Sequence, residues 1–144
     1  MADFLPSSHE LSQVISQATA PAFVLGSVAA FTSILSGRLN SVIDRVRQLN
    51  DIDDNDPSRG RLKSDLPRLR RRLILLSSAI RFALASGVCT AALLAASFAT
   101  AFLRLNHTYG AALLFFLAVV LLGISLVRFS QEVHTGISEA DHFR

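Results

Sequence analysis

The side chains that could do chemistry in this sequence are mostly arginines, and they are bunched. Ten of the fourteen Lys and Arg residues fall within residues 38–72, none precedes Arg38, and Arg68, Arg70, Arg71 and Arg72 stand almost side by side. Guanidinium groups at that density suit two tasks, holding phosphate-bearing anions and pairing with carboxylates. Asp44, flanked by Arg45 and Arg47, is the carboxylate for which a partner can be named. If the chain doubles back near residues 59 and 60, Arg71 or Arg72 stands at about its level and would fix the register of the two strands. A pair exposed to water would stabilise this arrangement little.

Acid–base, metal and nucleophilic chemistry have less to work with. His9, Glu10, His107, His134 and His142 are scattered. No apolar segment holds the paired His, Asp or Glu that a metal or proton-transfer site needs. Cys89 is the single cysteine, so neither an intramolecular disulfide nor a thiolate cluster can form within one chain; in mid-span it reads as a small packing residue. Neither a GxSxG turn nor a Gly-rich phosphate loop is present. The expectation is a protein that is not an enzyme and carries no cofactor or metal.

The elements that position the arginines are apolar. Of the 144 residues 51% are hydrophobic and the mean hydropathy is +0.43, an excess that lipid can bury. Three apolar runs, residues 18–35, 82–103 and 110–127, are helices of bilayer length; the first spans about 27 Å at 1.5 Å per residue. Ser7 and Glu10 have capping-box spacing and place the first helix start near Ser8; Pro21 should kink that helix mildly. The first helix should continue beyond the membrane through Leu39, Val42, Ile43, Val46 and Leu49. After a turn at residues 51–60, a second stripe at Leu62, Leu66, Leu69, Leu73 and Leu76 packs against it. Pro67 suits the first turn of a helix capped near Asp65. The third helix should persist to about His134 and stop at Gly136.

The fold expected is therefore an all-α integral membrane protein, a single membrane domain of three transmembrane helices at about 15–37, 81–103 and 109–128. The first two extend into a cytoplasmic antiparallel helical hairpin, 38–80, and a cytoplasmic tail covers 129–144. The positive-inside rule places the basic hairpin in the cytoplasm and the amino terminus outside. Arg38, Arg81 and Arg128, one per helix, then mark the cytoplasmic boundary. Arg81 could be a costly intramembrane charge with a gating role, but the uncharged residues after it suffice to cross, and snorkelling to headgroups is the simpler reading.

Small residues recur at every fourth position, Ala83, Gly87, Ala91, Ala95 and Ala99 in the second span and Ala22, Gly26 and Ala30 in the first. Such stripes let helix backbones approach closely in lipid; they serve packing within the chain or association between copies. The hydroxyls of Ser12, Ser16, Thr19, Thr32, Ser33 and Ser36 could line a path in an oligomer, or bond to carbonyls a turn earlier in their own helix. The pI of about 10.0 points to anionic lipid headgroups rather than nucleic acid, because the basic residues flank apolar spans without interleaved aromatics.

The stretch ISQATAPAFVLGSVAAFTSILSGRLNSVIDRVRQL, residues 15–49, carries Ala20-Pro21 ahead of an apolar run and Arg38-Leu39 and Asp44-Arg45-x-Arg47 leaving it. Arg70, Arg71 and Arg72 before Leu73 add a basic entry to the second span. In these features the chain resembles a bacterial membrane family known as domain of unknown function 2721. The resemblance implies a three-span protein of the bacterial inner membrane and supplies no activity. Two functions fit: a scaffold or accessory subunit that associates with itself or a larger membrane complex, or a subunit of an oligomeric channel or transporter with the first helix lining the path.

Overall fold

A computed structural model describes residues 8–51, 64–103 and 108–140. Ser7, residues 52–63 with most of the expected turn and Leu62, His107 and His142 lie outside them. Among the described residues the architecture is all-α, with α1 (Ser8–Asn50), α2 (Leu66–Leu103) and α3 (Thr108–Ala140) in that order. Their 43, 38 and 33 residues make rods of about 65, 57 and 50 Å, each longer than the ~30 Å of bilayer hydrocarbon. Each contains a stretch long and apolar enough to cross a membrane, as a multi-pass membrane protein requires.

Local sequence explains the ends. Helix α1 passes through Pro21, whose ring is buried, and goes on beyond Arg38 because its inward stripe does. Val42 and Leu49 are buried and Leu39, Ile43 and Val46 half-buried. The helix closes where the Asp51 N–H donates to the Arg47 carbonyl at 3.0 Å. Helix α2 begins at Leu66, which puts Pro67 in the first turn, where a missing backbone donor costs nothing. Helix α3 does not stop at Gly136 but runs on to Ala140.

The buried positions advance in sevens. On α1 they are Pro21, Val28, Leu35, Val42 and Leu49; on α3, Ala118, Ser125 and Glu132. On α2 they are Leu76, Ala79, Ala83, Ser86, Thr90 and Leu93, steps of three and four in alternation. This is the 3.5-residue period at which knobs of one helix keep meeting holes of another. A stripe at every fourth residue turns about 40° per step around the helix, so over four steps it leaves the contact face. Accordingly Ala83 is buried and Gly87 half-buried, while Ala91, Ala95 and Ala99 face outward, as do Ala22, Gly26 and Ala30.

The chain divides into two compact units, Met1–Phe31 with Ala83–Leu122 and Thr32–Phe82 with Gly123–Arg144. In the first, α1 closes on Gly87 of α2, where a Cβ would lie 3.2 Å from Val28 Cγ1. The Ser86 hydroxyl of α2 donates to the Ala118 carbonyl of α3 at 2.7 Å. In the second, the Ser125 hydroxyl of α3 donates to the Ala79 carbonyl of α2 at 2.6 Å. Both serines are fully buried, and Ala79 and Ala118 are small enough to bring each hydroxyl onto a backbone.

Several other hydroxyls stay local. Thr19 donates to Ile15, Ser27 to Phe23 and Ser97 to Leu93, each a turn back in its own helix. Ser86→Ala and Ser125→Ala should therefore each lower stability by about 0.6 kcal/mol, with about 1.7 kcal/mol as the ceiling for a bond between membrane helices. Reversible unfolding in mild detergent measures this, with Ser97→Ala as the local comparison. Equal losses for Ser125→Ala and Ser97→Ala would deny the cross-helix bond any weight.

Candidate functional site: a buried carboxylate between two arginines

One carboxylate draws on all three helices. Glu132 of α3 has no exposed surface, although it is a charged residue. Arg72 of α2 donates to its Oε1 twice, from Nε at 3.0 Å and from Nη2 at 2.8 Å. Arg38 of α1 donates from Nη2 to the same oxygen at 3.4 Å and lies 3.0 Å from Oε2. The second contact is an ion pair without hydrogen-bond geometry, so Oε1 collects the donors and Oε2 has none among the described residues.

Helix α3 builds the site with residues spaced three and four apart, which share one face. Phe129 presents its ring to the Arg38 guanidinium, 5.3 Å from carbon to centroid, a cation–π contact. Glu132 lies one turn on, and Gly136 one turn beyond that. A Cβ at Gly136 would lie 3.4 Å from Arg72 Nη2, in ordinary van der Waals contact, so the glycine expected to end the helix instead stands beside the Arg72 head.

Two guanidiniums, from Arg38 and Arg72, share this one carboxylate. The arginines are unequally wet, with 39% of the Arg38 side chain exposed and 19% of Arg72. Arg72 therefore carries the drier and stronger half of the interaction. A buried charge is expensive unless it is paired and hydrogen-bonded; here the pairing requires Arg38, Arg72 and Glu132 to be level. What the arrangement can do is lock three helices in one register.

Of the residues singled out in the sequence, the site gathers Arg38 and Arg72. Arg38 was placed level with Arg81 at a shared boundary; it meets Glu132 and shares it with Arg72, while Arg81 and Arg128 are exposed. Asp44 was matched to Arg71 or Arg72. Arg72 is held by Glu132 instead, and Asp44, two turns farther along α1, is exposed and makes no ion pair among the described residues. Arg45, Arg47 and Arg71 are exposed as well. Glu132 itself was missed, having been read as part of a polar tail. Its signal was positional: it falls seven residues after Ser125 and fourteen after Ala118, on the face of Phe129 and Gly136.

Among the described residues, no three His, Cys, Asp or Glu side chains come together as metal ligands. No curated protein matches the chain, and no solved structure does. A family model does match, described as protein of unknown function (DUF2721), over residues 18–141. With most of its length matched, including every residue of the ion cluster, the chain belongs to that family.

Proposed function

We propose that the chain is a non-enzymatic, self-associating scaffold or accessory subunit of a bacterial inner membrane. In this reading the amino terminus is outside, and the basic hairpin faces the cytoplasm, where it meets anionic lipid headgroups and a larger membrane complex. The orientation rests on charge, since the ten basic residues of 38–72 follow the positive-inside rule.

The observation that carries the reading is the outward placement of small residues on two helices. Ala22, Gly26 and Ala30 on α1 face out, and a Cβ built on Gly26 meets nothing within 4 Å; Ala91, Ala95 and Ala99 on α2 face out too. A small residue facing lipid gains nothing there, whereas against another helix it permits close backbone approach. A channel reading draws on the exposed Ser12, Ser16 and Ser33, but Thr19 and Ser27 already donate to carbonyls of their own helix.

Disulfide crosslinking in native membranes tests the proposal. With Cys89 replaced by Ser, a single cysteine at position 26 or 95 should trap a covalent dimer in much higher yield than one at the outward-facing Phe116. Equal yields at all three positions would sink it.

A further inference from the structure

Beside the ion cluster, α2 and α3 enclose an open groove of about 600 Å³. Arg71 and Leu75 line it from α2, and Ser130, Gln131, Val133, His134 and Thr135 from α3. Its chemistry is one-sided. Arg71 and His134 are exposed, as are Ser130 and Gln131, so the walls offer a guanidinium, an imidazole and neutral donors. The carboxylate nearest in the chain, Glu132, is turned away from water and occupied by Arg38 and Arg72. No acidic side chain is among the described residues that line the groove.

Depth selects which anion. The uncharged run of α3 ends at Val127, and the groove takes residues three to eight positions farther on, about 5–12 Å along the helix. With the hydrocarbon taken to end at Val127, that is the layer of lipid headgroups. Leu75 and Val133 add an apolar side to the groove, and Leu126 and Val127, a turn before Ser130 on α3, are exposed. A soluble phosphate would use only the polar end of such a site, whereas a lipid uses both.

We propose that this groove is a binding site for the phosphate headgroup of an anionic lipid. Arg71 supplies the positive charge, Ser130, Gln131 and His134 donate hydrogen bonds to the phosphate and glycerol oxygens, and an acyl chain lies past Leu75 along Leu126 and Val127. The site is complete within one chain, so it stands or falls independently of self-association.

Native mass spectrometry of the full-length protein in detergent tests it, with phosphatidylglycerol and phosphatidylcholine of matched acyl chains as probes and the monomer peak read separately. Phosphatidylglycerol should be retained over phosphatidylcholine. Arg71→Gln should weaken it about five-fold, the loss of one basic residue near a charged surface, and Arg71→Lys should restore most of the affinity. His134→Ala, on the opposite wall, should weaken it about two-fold or more, which keeps the test alive if Arg71 variants unfold. Arg128→Gln removes the same charge outside the groove and should leave retention within two-fold of the parent. Equal retention of the two lipids, or equal loss from Arg71→Gln and Arg128→Gln, would overturn the site. Displacement of phosphatidylglycerol by millimolar inorganic phosphate would overturn the assignment to lipid.

Discussion

Glu132→Ala is expected to lower the stability of the protein by about 3–5 kcal/mol, the range for removing one partner of a buried ion pair. The loss is large because of what stays behind. Without the carboxylate, Arg72, with 19% of its side chain exposed, loses the two hydrogen bonds that Glu132 accepts from it, and Arg38 loses its own contact with the same group. Glu132→Gln keeps the volume and one acceptor but not the charge, and should fall between Ala and the parent. The arginines should rank by dryness: Arg72→Met costs more than Arg38→Met, because 39% of the Arg38 side chain can draw on water. Replacing all three by Met should cost little, since buried ion triads exchange for apolar residues at near-neutral stability. Reversible unfolding in mild detergent reads every member of the series. A Glu132→Ala variant within about 1 kcal/mol of the parent, well below the expected range, would mean that the cluster locks nothing.

Gly87→Leu is expected to cost about 1–3 kcal/mol, the usual toll of overfilling a packed contact. Even a single methyl at Gly87 would meet Val28 Cγ1 at 3.2 Å, and leucine adds three more carbons between α1 and α2. Gly26→Leu is the internal comparison. Its surroundings are open to 4 Å, so the stability of a protomer should move by no more than about 0.5 kcal/mol, as for a surface site. The same unfolding assay on monomeric protein separates the two glycines. If Gly26→Leu destabilises the protomer as much as Gly87→Leu, the outward placement of that stripe is wrong.

How much of this was legible in the sequence differs between elements and contacts. The three helices were, because uncharged runs of bilayer length and the apolar stripes beyond Arg38 leave few alternatives. The interface was legible only in part: Gly87, marked in the sequence as a packing residue, does stand against Val28 of α1. Ala83, Gly87, Ala91, Ala95 and Ala99 look like one face when every fourth residue is marked, but the contact follows steps of three and four through Leu76, Ala79, Ala83, Ser86, Thr90 and Leu93. Only Ala83 belongs to both sets. Ser86, Ser125 and Glu132 escaped notice for a related reason. Polar residues at core positions read as solvent-facing until a partner helix is in place, and their partners here are backbone carbonyls and distant arginines. Gly136 was read as a helix breaker, yet α3 runs through it, and the guanidinium beside it comes from a residue 64 positions earlier.

Between α2 and α3 the polar contacts form rungs seven residues apart: Arg72 with Glu132, Ala79 with Ser125, and Ser86 with Ala118. The two hydroxyl rungs specify the register weakly, because a serine hydroxyl can donate to whichever backbone carbonyl it meets. The third is stricter. Sliding α3 by one heptad, about 10 Å, would carry the Glu132 carboxylate from Arg72 to an apolar position beside Ala79, at a cost of several kcal/mol. Within the unit formed by 32–82 and 123–144 the cluster thus acts as a key in a slot: a slip of one heptad there leaves a buried carboxylate without its arginines, so a single register is favoured.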